Sequence, residues 1–137
     1  MQAVTMSPEE LPSPDELLMY GEDLLLRWQR HELLDRIEMR WNSRMRTRAG
    51  VAYLVSRRIE LNPRLLAQNP DMIHECFAHE LAHIVVYSEH GQKARAHGKE
   101  WRALMREVGF EPEAVHYMDV SDFRRAPPQR RRRRWRA

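Results

Sequence analysis

The residues best suited to chemistry are His79, Glu80 and His83, which form an HExxH motif. On a helix, side chains four positions apart have Cβ atoms about 5–6 Å apart, so both imidazoles can reach one metal ion. Zinc proteases use this spacing, and the intervening glutamate serves as general base toward a metal-bound water. A chain with seven histidines can contain such a motif by chance, so the neighbouring sequence has to support it.

The motif lies in a run that predicts a helix from about residue 70 to residue 88. Asn69 is a suitable N-cap, Pro70 a suitable first helical residue, and Asp71 an acid in the first turn. One side of this helix carries an apolar stripe at helical spacing: Phe77, Leu81, Ile84 and Val85. The two histidines lie on another side, which could border a cleft. His74, five positions before His79, is out of register and is expected at the helix surface.

The two histidines need a third partner, because a catalytic zinc ion usually takes three protein ligands and leaves a fourth position for water. His97 is the first candidate because it directly precedes a second helical pattern, which ends at Gly109 and would pack against the first helix. Three other side chains stay open as alternatives: His90, Glu100 and Glu107.

Four motifs in this order and at this spacing are typical of one protein family. They are Gly50-Val51-Ala52-Tyr53, Ile59-Glu60-Leu61-Asn62-Pro63, Ala78-His79-Glu80-Leu81-Ala82-His83 and Ala96-His97-Gly98-Lys99-Glu100-Trp101. With them, the stretch from about residue 41 to residue 117 resembles the SprT-like metalloprotease domain of bacterial SprT proteins and of the DNA–protein crosslink protease Spartan. The resemblance implies an α+β, zincin-like fold with helices packed on a small β-sheet. It also implies that His79, His83 and His97 bind one zinc ion and that Glu80 is catalytic.

Cys76 is the only cysteine and stands three residues before the metal motif. One cysteine cannot build the zinc ribbon of CxxC pairs that follows the protease domain in many SprT proteins. Cys76 could be a reactive thiol near the metal, but a small buried core residue is the favoured interpretation. A single cysteine suits a reducing compartment, and no apolar run approaches the roughly 20 residues of a membrane span. We expect a monomer in the cytoplasm, near the nucleoid in a bacterium or in the nucleus of a eukaryote.

Positive charge is concentrated in the tail, residues 124–137, which holds eight arginines and no acid. Residues 1–123 carry 20 acidic and 15 basic side chains, a net charge of −5, although the whole chain has a formal net charge of +3. A second concentration, the arginine band, is residues 36–58, with seven arginines and one acid. The band is either a solvated face or a DNA contact.

For the tail, DNA contact is favoured over a nuclear localisation signal or a solubilising segment. Arginines can release counterions from phosphates, and Trp135 can stack on an exposed base. The residues assigned to nucleic acid are Arg130, Arg131, Arg132, Arg133, Arg134, Trp135 and Arg136.

The remaining patterns indicate one domain over residues 13–123, after a disordered start at residues 1–12. Ser13 begins a capping box for a long helix that runs toward Ile37, with a break near Gly21.

Two short strands are expected at residues 50–55 and 58–61, and Asn62-Pro63 ends the second. By the resemblance, this sheet lies beside the metal helix, where an edge strand could bind an extended substrate through its backbone. His116 and Tyr117 follow in an irregular region, where packing is favoured over a role toward an oxyanion.

Together these patterns predict a zinc-dependent endopeptidase in which Glu80 activates a zinc-bound water. By the resemblance, the substrates are proteins on DNA or crosslinked to it. Two alternatives stay open. One is a DNA-binding protein with a structural or relict metal site, which the presence of Glu80 disfavours, and the other is a zinc protease unrelated to DNA.

Overall fold

The computed structural model describes residues 5–112, and in this range four helices pack with a sheet of three strands. The elements in chain order are α1 (Pro14–Arg27), β1 (Glu38–Trp41), β2 (Gly50–Tyr53), β3 (Arg58–Leu61), α2 (Pro63–Gln68), α3 (Ile73–His90) and α4 (Lys99–Glu107). Short 3₁₀ turns cover Pro8–Glu10, His31–Arg36, Pro70–Met72 and Gly91–Lys93. This arrangement confirms the predicted α+β class with helices and a small sheet.

The N-terminal segment is partly fixed by contacts with the body. The Met6 N–H donates to the Ala67 carbonyl at 2.8 Å, and the Trp41 indole N–H donates to the Pro12 carbonyl at 2.9 Å. The expectation of disorder over residues 1–12 therefore does not hold for residues 5–12, because these bonds and the burial of apolar side chains offset the ordering entropy. Residues 1–4 lie outside the described range.

Helix α1 begins as the sequence predicts. The Ser13 hydroxyl accepts from the Glu16 N–H at 3.1 Å, and the Glu16 carboxylate accepts from the Ser13 N–H at 2.8 Å. This reciprocal capping box satisfies two backbone donors at the helix start. Gly21 does not break the helix. It lies opposite the ring of Phe77, where an added Cβ would come within 3.1 Å of the ring, so the glycine allows α1 and α3 to approach closely.

The end of α1 differs from the prediction. The N–H groups of Gln29 and Arg30 donate back to the carbonyls of Leu26 and Leu25, at 3.1 and 2.7 Å. Gln29 has a φ of 62°, in the left-handed region. These features form a Schellman motif, which ends a helix and satisfies its last carbonyls. The prediction that the helix continues toward Ile37 is therefore wrong.

The sheet has the strand order β1-β3-β2, with β1 parallel and β2 antiparallel to β3. The predicted hairpin of β2 and β3 is present, although β2 ends at Tyr53 rather than near residue 55. Strand β1 was not predicted, since the long helix was expected to approach this region.

The two faces of the sheet differ in composition because successive side chains on a strand point to opposite faces. The inner face carries Gly50, Ala52, Ile59 and Leu61, and α3 packs against it. The outer face carries four other side chains: Val51, Tyr53, Arg58 and Glu60.

Helix α3 is the central element of the core, with most of its apolar side chains buried. It starts at Ile73, with Met72 in the N-cap position, because a 3₁₀ turn at Pro70–Met72 separates it from Asn69. The prediction that Asn69 is its N-cap is therefore wrong, and the Asn69 side-chain amide donates to the Leu65 carbonyl at 2.9 Å. The Trp28 indole N–H, which donates to the Leu104 carbonyl at 2.8 Å, connects the end of α1 to α4. No helix within residues 5–112 is long and apolar enough to cross a membrane.

Candidate active site

Three histidine side chains converge at one point between α3 and α4. The Nε2 atom of His97 lies 3.1 Å from the Nε2 atom of His79 and 3.0 Å from that of His83. The three ligand atoms lie within 4.8 Å of one another. A single Nε2–H group of His97 can point at only one of these two neighbours, and the three residues together could hold a metal ion.

The spacing of these nitrogen atoms can be compared with a zinc site. Tetrahedral zinc with Zn–N distances of about 2.0–2.1 Å requires ligand nitrogens roughly 3.3–3.4 Å apart. The separations of 3.0 and 3.1 Å in the cluster are close to that requirement. The residues present therefore fit a zinc ion and leave a fourth position for water.

The protonation state of the cluster also suits a metal. Burial, and to a smaller extent the neighbouring His97, lower the pKa of His83 to about 4. Burial also lowers the pKa of His97, with a smaller contribution from the positive charge of Arg102. Both rings are thus neutral at neutral pH, which is the form that binds metals.

The elements position the three rings in different ways. His79 and His83 occupy successive turns of α3, as the HExxH spacing predicts. His97 precedes α4 and has a φ of 60°, a left-handed conformation that costs a non-glycine residue on the order of 1 kcal/mol. Such conformations are found at functional sites where the surrounding structure fixes them.

Trp101, on the first turns of α4, contacts all three rings. It is completely buried, it stacks on His83 with ring centroids 5.5 Å apart, and it meets His79 and His97 edge-on at 4.7 Å each. Its indole N–H donates to the His79 carbonyl at 3.1 Å. The sequence predicts that the helix after His97 packs against α3, but the contact of Trp101 with all three rings depends on how the two helices cross and has no local signal.

Glu80 lies beside the histidine cluster, half-buried on α3. Burial raises its pKa to about 8, and the positive charge of Arg48 acts in the opposite direction. Strand β2 runs directly over this carboxylate: a Cβ atom added to Gly50 would lie 3.2 Å from Glu80 Oε2 and 2.7 Å from a methyl group of Leu61. Gly50 and Arg48 were not predicted as neighbours of Glu80, although Gly50 belongs to a motif that supported the resemblance.

The other candidate residues lie elsewhere or outside the described range. The alternative ligands do not belong to the cluster: His90, Glu100 and Glu107. His74 is exposed, as expected, and its ring meets that of Tyr20 at 4.6 Å. Cys76 is a buried core residue, and burial raises the pKa of its thiol, which disfavours reactivity. His116, Tyr117 and the tail residues lie outside residues 5–112.

Comparison with known proteins agrees with this geometry. The model of the SprT-like family matches residues 21–122, which is well over half of the chain. Protein SprT of Glaesserella parasuis is 46% identical over 77 residues, covering 55% of this chain and 49% of the relative. Protein SprT of Yersinia pseudotuberculosis is 46% identical over 80 residues, covering 57% of this chain and 46% of the relative. Protein SprT of Salmonella arizonae is 44% identical over 81 residues, covering 58% of this chain and 48% of the relative.

The chain thus spans about half the length of the curated relatives it matches. The match of the family model and the histidine cluster concern the same segment, so the resemblance inferred from the sequence is confirmed. On these grounds the chain belongs to the SprT-like family.

Proposed function

We propose that this protein is a zinc-dependent endopeptidase in which His79, His83 and His97 hold the metal and Glu80 is the catalytic base. The observation that carries the proposal is the convergence of three imidazole nitrogens at zinc-like distances beside the half-buried side chain of Glu80. A metal site with a purely structural role needs no such carboxylate.

The chemistry divides between the metal and the chain. A bound zinc ion would polarise the scissile carbonyl and make water a stronger nucleophile at neutral pH. With a positive ion held by the histidines, the pKa of Glu80 would fall below about 8 and its carboxylate would be ionised at neutral pH. In that form Glu80 accepts a proton from the attacking water and passes it to the leaving amine. Gly50 leaves room for the carboxylate and for a substrate backbone close to it, since any side chain at this position would fill the space. Trp101 holds the three imidazoles in a fixed relation.

The peptide substrate binds, in this proposal, along the edge of β2. This strand lies at the end of the order β1-β3-β2, so its outer edge has unpaired backbone groups within the part of the chain that the structure describes. An extended peptide can add there as a further strand through backbone hydrogen bonds. Gly50, at the start of β2, would bring that peptide next to Glu80.

The proposed substrates are proteins bound or crosslinked to DNA, and the proposed location is the cytoplasm, near the nucleoid or in the nucleus. This part rests on the family membership and on the charge distribution of the sequence. The arginines of the tail would supply the DNA contact, and those of the arginine band are the alternative contact.

The decisive experiment is a proteolysis assay with the wild-type protein and Glu80→Gln, each with and without DNA. The amide is nearly isosteric but cannot accept the water proton, so cleavage should fall by at least 10²-fold. Zinc content, measured in parallel, should stay at one ion per chain because the ligands are unchanged. Cleavage by Glu80→Gln at the wild-type rate would refute the mechanism. A wild-type protein that binds zinc without cleaving any substrate would favour the structural-site alternative.

The role of the tail is tested separately by a truncation that ends at Phe123. Full-length protein should bind duplex DNA with an affinity that falls with salt at a log–log slope on the order of −4 to −7, and the truncation should lose most of this binding. If the truncated protein keeps both affinity and slope, the arginine band is the DNA-binding element.

A further inference from the structure

A pocket of about 260 Å³ lies beside β2, on the outer side of the sheet. Its lining residues are Asn42, Met45, Arg46, Thr47, Arg48, Val51 and Tyr53. The volume is large enough for one amino-acid side chain. The wall combines two guanidinium groups with apolar surface, which is the composition expected of a site for a long acidic side chain.

The loop that carries the two arginines is fixed by a buried side chain. The completely buried Asn62 donates its two amide hydrogens to the carbonyls of Arg46 and Arg48, at 2.9 and 3.0 Å. Its oxygen accepts from the N–H groups of Arg64 and Leu65, both at 3.1 Å. Because all four bonds come from one buried amide, the loop backbone is held against the start of α2. The arginines therefore extend from a defined position.

The guanidinium groups are available to a ligand. Both Arg46 and Arg48 are exposed, and the positive charge of Arg48 also acts on the carboxyl group of Glu80. Ion pairs of arginines within residues 5–112 join Arg30 with Glu89 and Arg58 with Glu60. The nearby carboxylate of Glu60 is already occupied, since Arg58 and Asn42 each donate to it at 2.8 Å.

The position of the pocket relative to β2 determines which part of a peptide can reach it. Side chains directly opposite each other on paired strands point to the same face, with Cβ atoms about 4.5–5.5 Å apart. Val51 and Tyr53 both line the pocket, whereas Gly50 faces Glu80. A peptide residue opposite Val51 or Tyr53 would therefore direct its side chain toward the pocket, one or three positions from the residue beside Glu80.

We propose that this pocket is a specificity site that accepts a glutamate or aspartate side chain of the peptide substrate, close to the bond that is cleaved. The proposal rests on the proposed peptidase function and adds a substrate preference to it. Arg46 and Arg48 pair with the carboxylate, and Met45 and Val51 contact its methylene groups.

A nucleic-acid phosphate is a less suitable occupant of this pocket. Residues 5–112 carry 17 acidic and 15 basic side chains, a net charge of −2, so their long-range field does not attract a polyanion. The Tyr53 ring is covered by the Arg58 guanidinium, 4.5 Å from the ring centroid, and that face is not open to stack on a base. A single carboxylate, by contrast, needs only the two short-range contacts that the arginines offer.

The test uses zinc-loaded Glu80→Gln protein, which can bind peptides without cleaving them. The probes are fluorescein-labelled seven-residue peptides that differ only in carrying glutamate or glutamine at one position, which is moved along the peptide. Fluorescence anisotropy should show a dissociation constant about five- to tenfold lower for the glutamate peptide when the residue is at one or two particular positions. At the other positions the two peptides should bind equally. Adding Arg46→Gln should remove the difference, and Arg46→Glu should transfer the preference to a lysine peptide.

The control is Arg44→Gln, an exposed arginine of the same loop that does not line the pocket, and it should keep the preference for glutamate. Equal binding of glutamate and glutamine peptides in every register, or no binding of any peptide, overturns the proposal. A preference that survives in the Arg46→Gln, Arg48→Gln double variant overturns it as well. If the peptides are not distinguished but a ten-nucleotide single strand binds in an Arg46-dependent manner, the pocket is a nucleic-acid site instead.

The same peptides separate this proposal from the proposed function. Wild-type protein that cleaves glutamate and glutamine peptides equally refutes only the pocket. Preserved discrimination in the binding assay, together with no cleavage by zinc-loaded wild type, refutes only the peptidase function.

Discussion

The two faces of the sheet are held in place by different kinds of interaction. On the inner face, Ile59 and Leu61 are completely buried in the apolar core, and Glu80 beside the histidine cluster lies next to Gly50 at the border of this face. The outer face depends on directional polar contacts. Examples are the Arg58–Glu60 ion pair and the bonds that Asn62 donates to the carbonyls of Arg46 and Arg48. The inner side is therefore positioned by shape, and the outer side by individual hydrogen bonds.

This difference implies that changes on the two sides have separable effects. Packing changes near α3 should alter metal binding and global stability together, because the same side chains supply both. Changes on the outer face should alter the loop that carries Arg46 and Arg48 and the pocket beside β2. The affinity of the histidine cluster for zinc should stay the same. Three substitutions test this separation.

The largest effect is expected from Trp101→Ala. Removing a completely buried tryptophan should lower the free energy of unfolding by about 3–5 kcal/mol, through lost burial and the cavity that remains. Zinc affinity should fall roughly tenfold or more, since the three imidazoles lose their common support. Urea denaturation and a competitive zinc titration measure the two effects.

Trp101→Phe is the matched control, because it keeps much of the ring contact and removes mainly the N–H bond to the His79 carbonyl. The free energy of unfolding of this variant should fall by only about 0.5–1.5 kcal/mol. An alanine variant that loses stability but binds zinc with unchanged affinity would contradict the supporting role of Trp101.

An intermediate effect is expected from Asn62→Asp. The carboxylate can still cap α2, but it cannot donate to the carbonyls of Arg46 and Arg48. The free energy of unfolding should fall by about 2–3 kcal/mol, because two hydrogen bonds are lost and a buried charge faces two carbonyl oxygens. Zinc affinity should change less than twofold. The rate of hydrogen exchange of the amides in residues 42–49 should rise. An equal rise near His97 would show that the outer face and the metal site are coupled, which would contradict the separation.

The smallest effect is expected from Glu60→Gln on the outer face. The carboxylate accepts one bond from Arg58 and one from Asn42, and an amide can replace only one of them. We expect a loss of about 1 kcal/mol in the free energy of unfolding and no change in zinc content. The loss should shrink at high salt, because part of it is electrostatic. A salt-independent loss, or reduced zinc binding, would contradict a purely local polar role.

The metal helix and the position of His97 could be predicted because their signals are local. The HExxH spacing, the apolar stripe on α3 and the helical pattern of α4 each extend over a few turns. Strand β1 could not be predicted in the same way. Its four residues pair in parallel with β3, so that Glu38 lies opposite Arg58, twenty positions away in the chain. A short segment whose partner is that distant has no periodic signal of its own.

Two element boundaries were missed for a related reason. Helix α1 ends at a Schellman motif whose left-handed residue is Gln29, whereas the usual signal for such an end is glycine. Asn62-Pro63 ends β3 at Leu61, as the sequence predicts, but the same dipeptide also starts α2, with Asn as N-cap and Pro as first residue, and this helix was not predicted. The pocket beside β2 could not be predicted at all, because it depends on a loop that Asn62 fixes through tertiary hydrogen bonds.

The stacking of Trp101 on His83 has a practical consequence for spectroscopy. The two rings are nearly parallel, with 17° between their planes, and the indole is shielded from solvent. The emission of an indole ring depends on the electric field across it, and a divalent ion held by the histidines would change that field. Trp101 is thus an intrinsic fluorophore at the metal site, and difference emission spectra of wild type and Trp101→Phe would report zinc occupancy without an added dye.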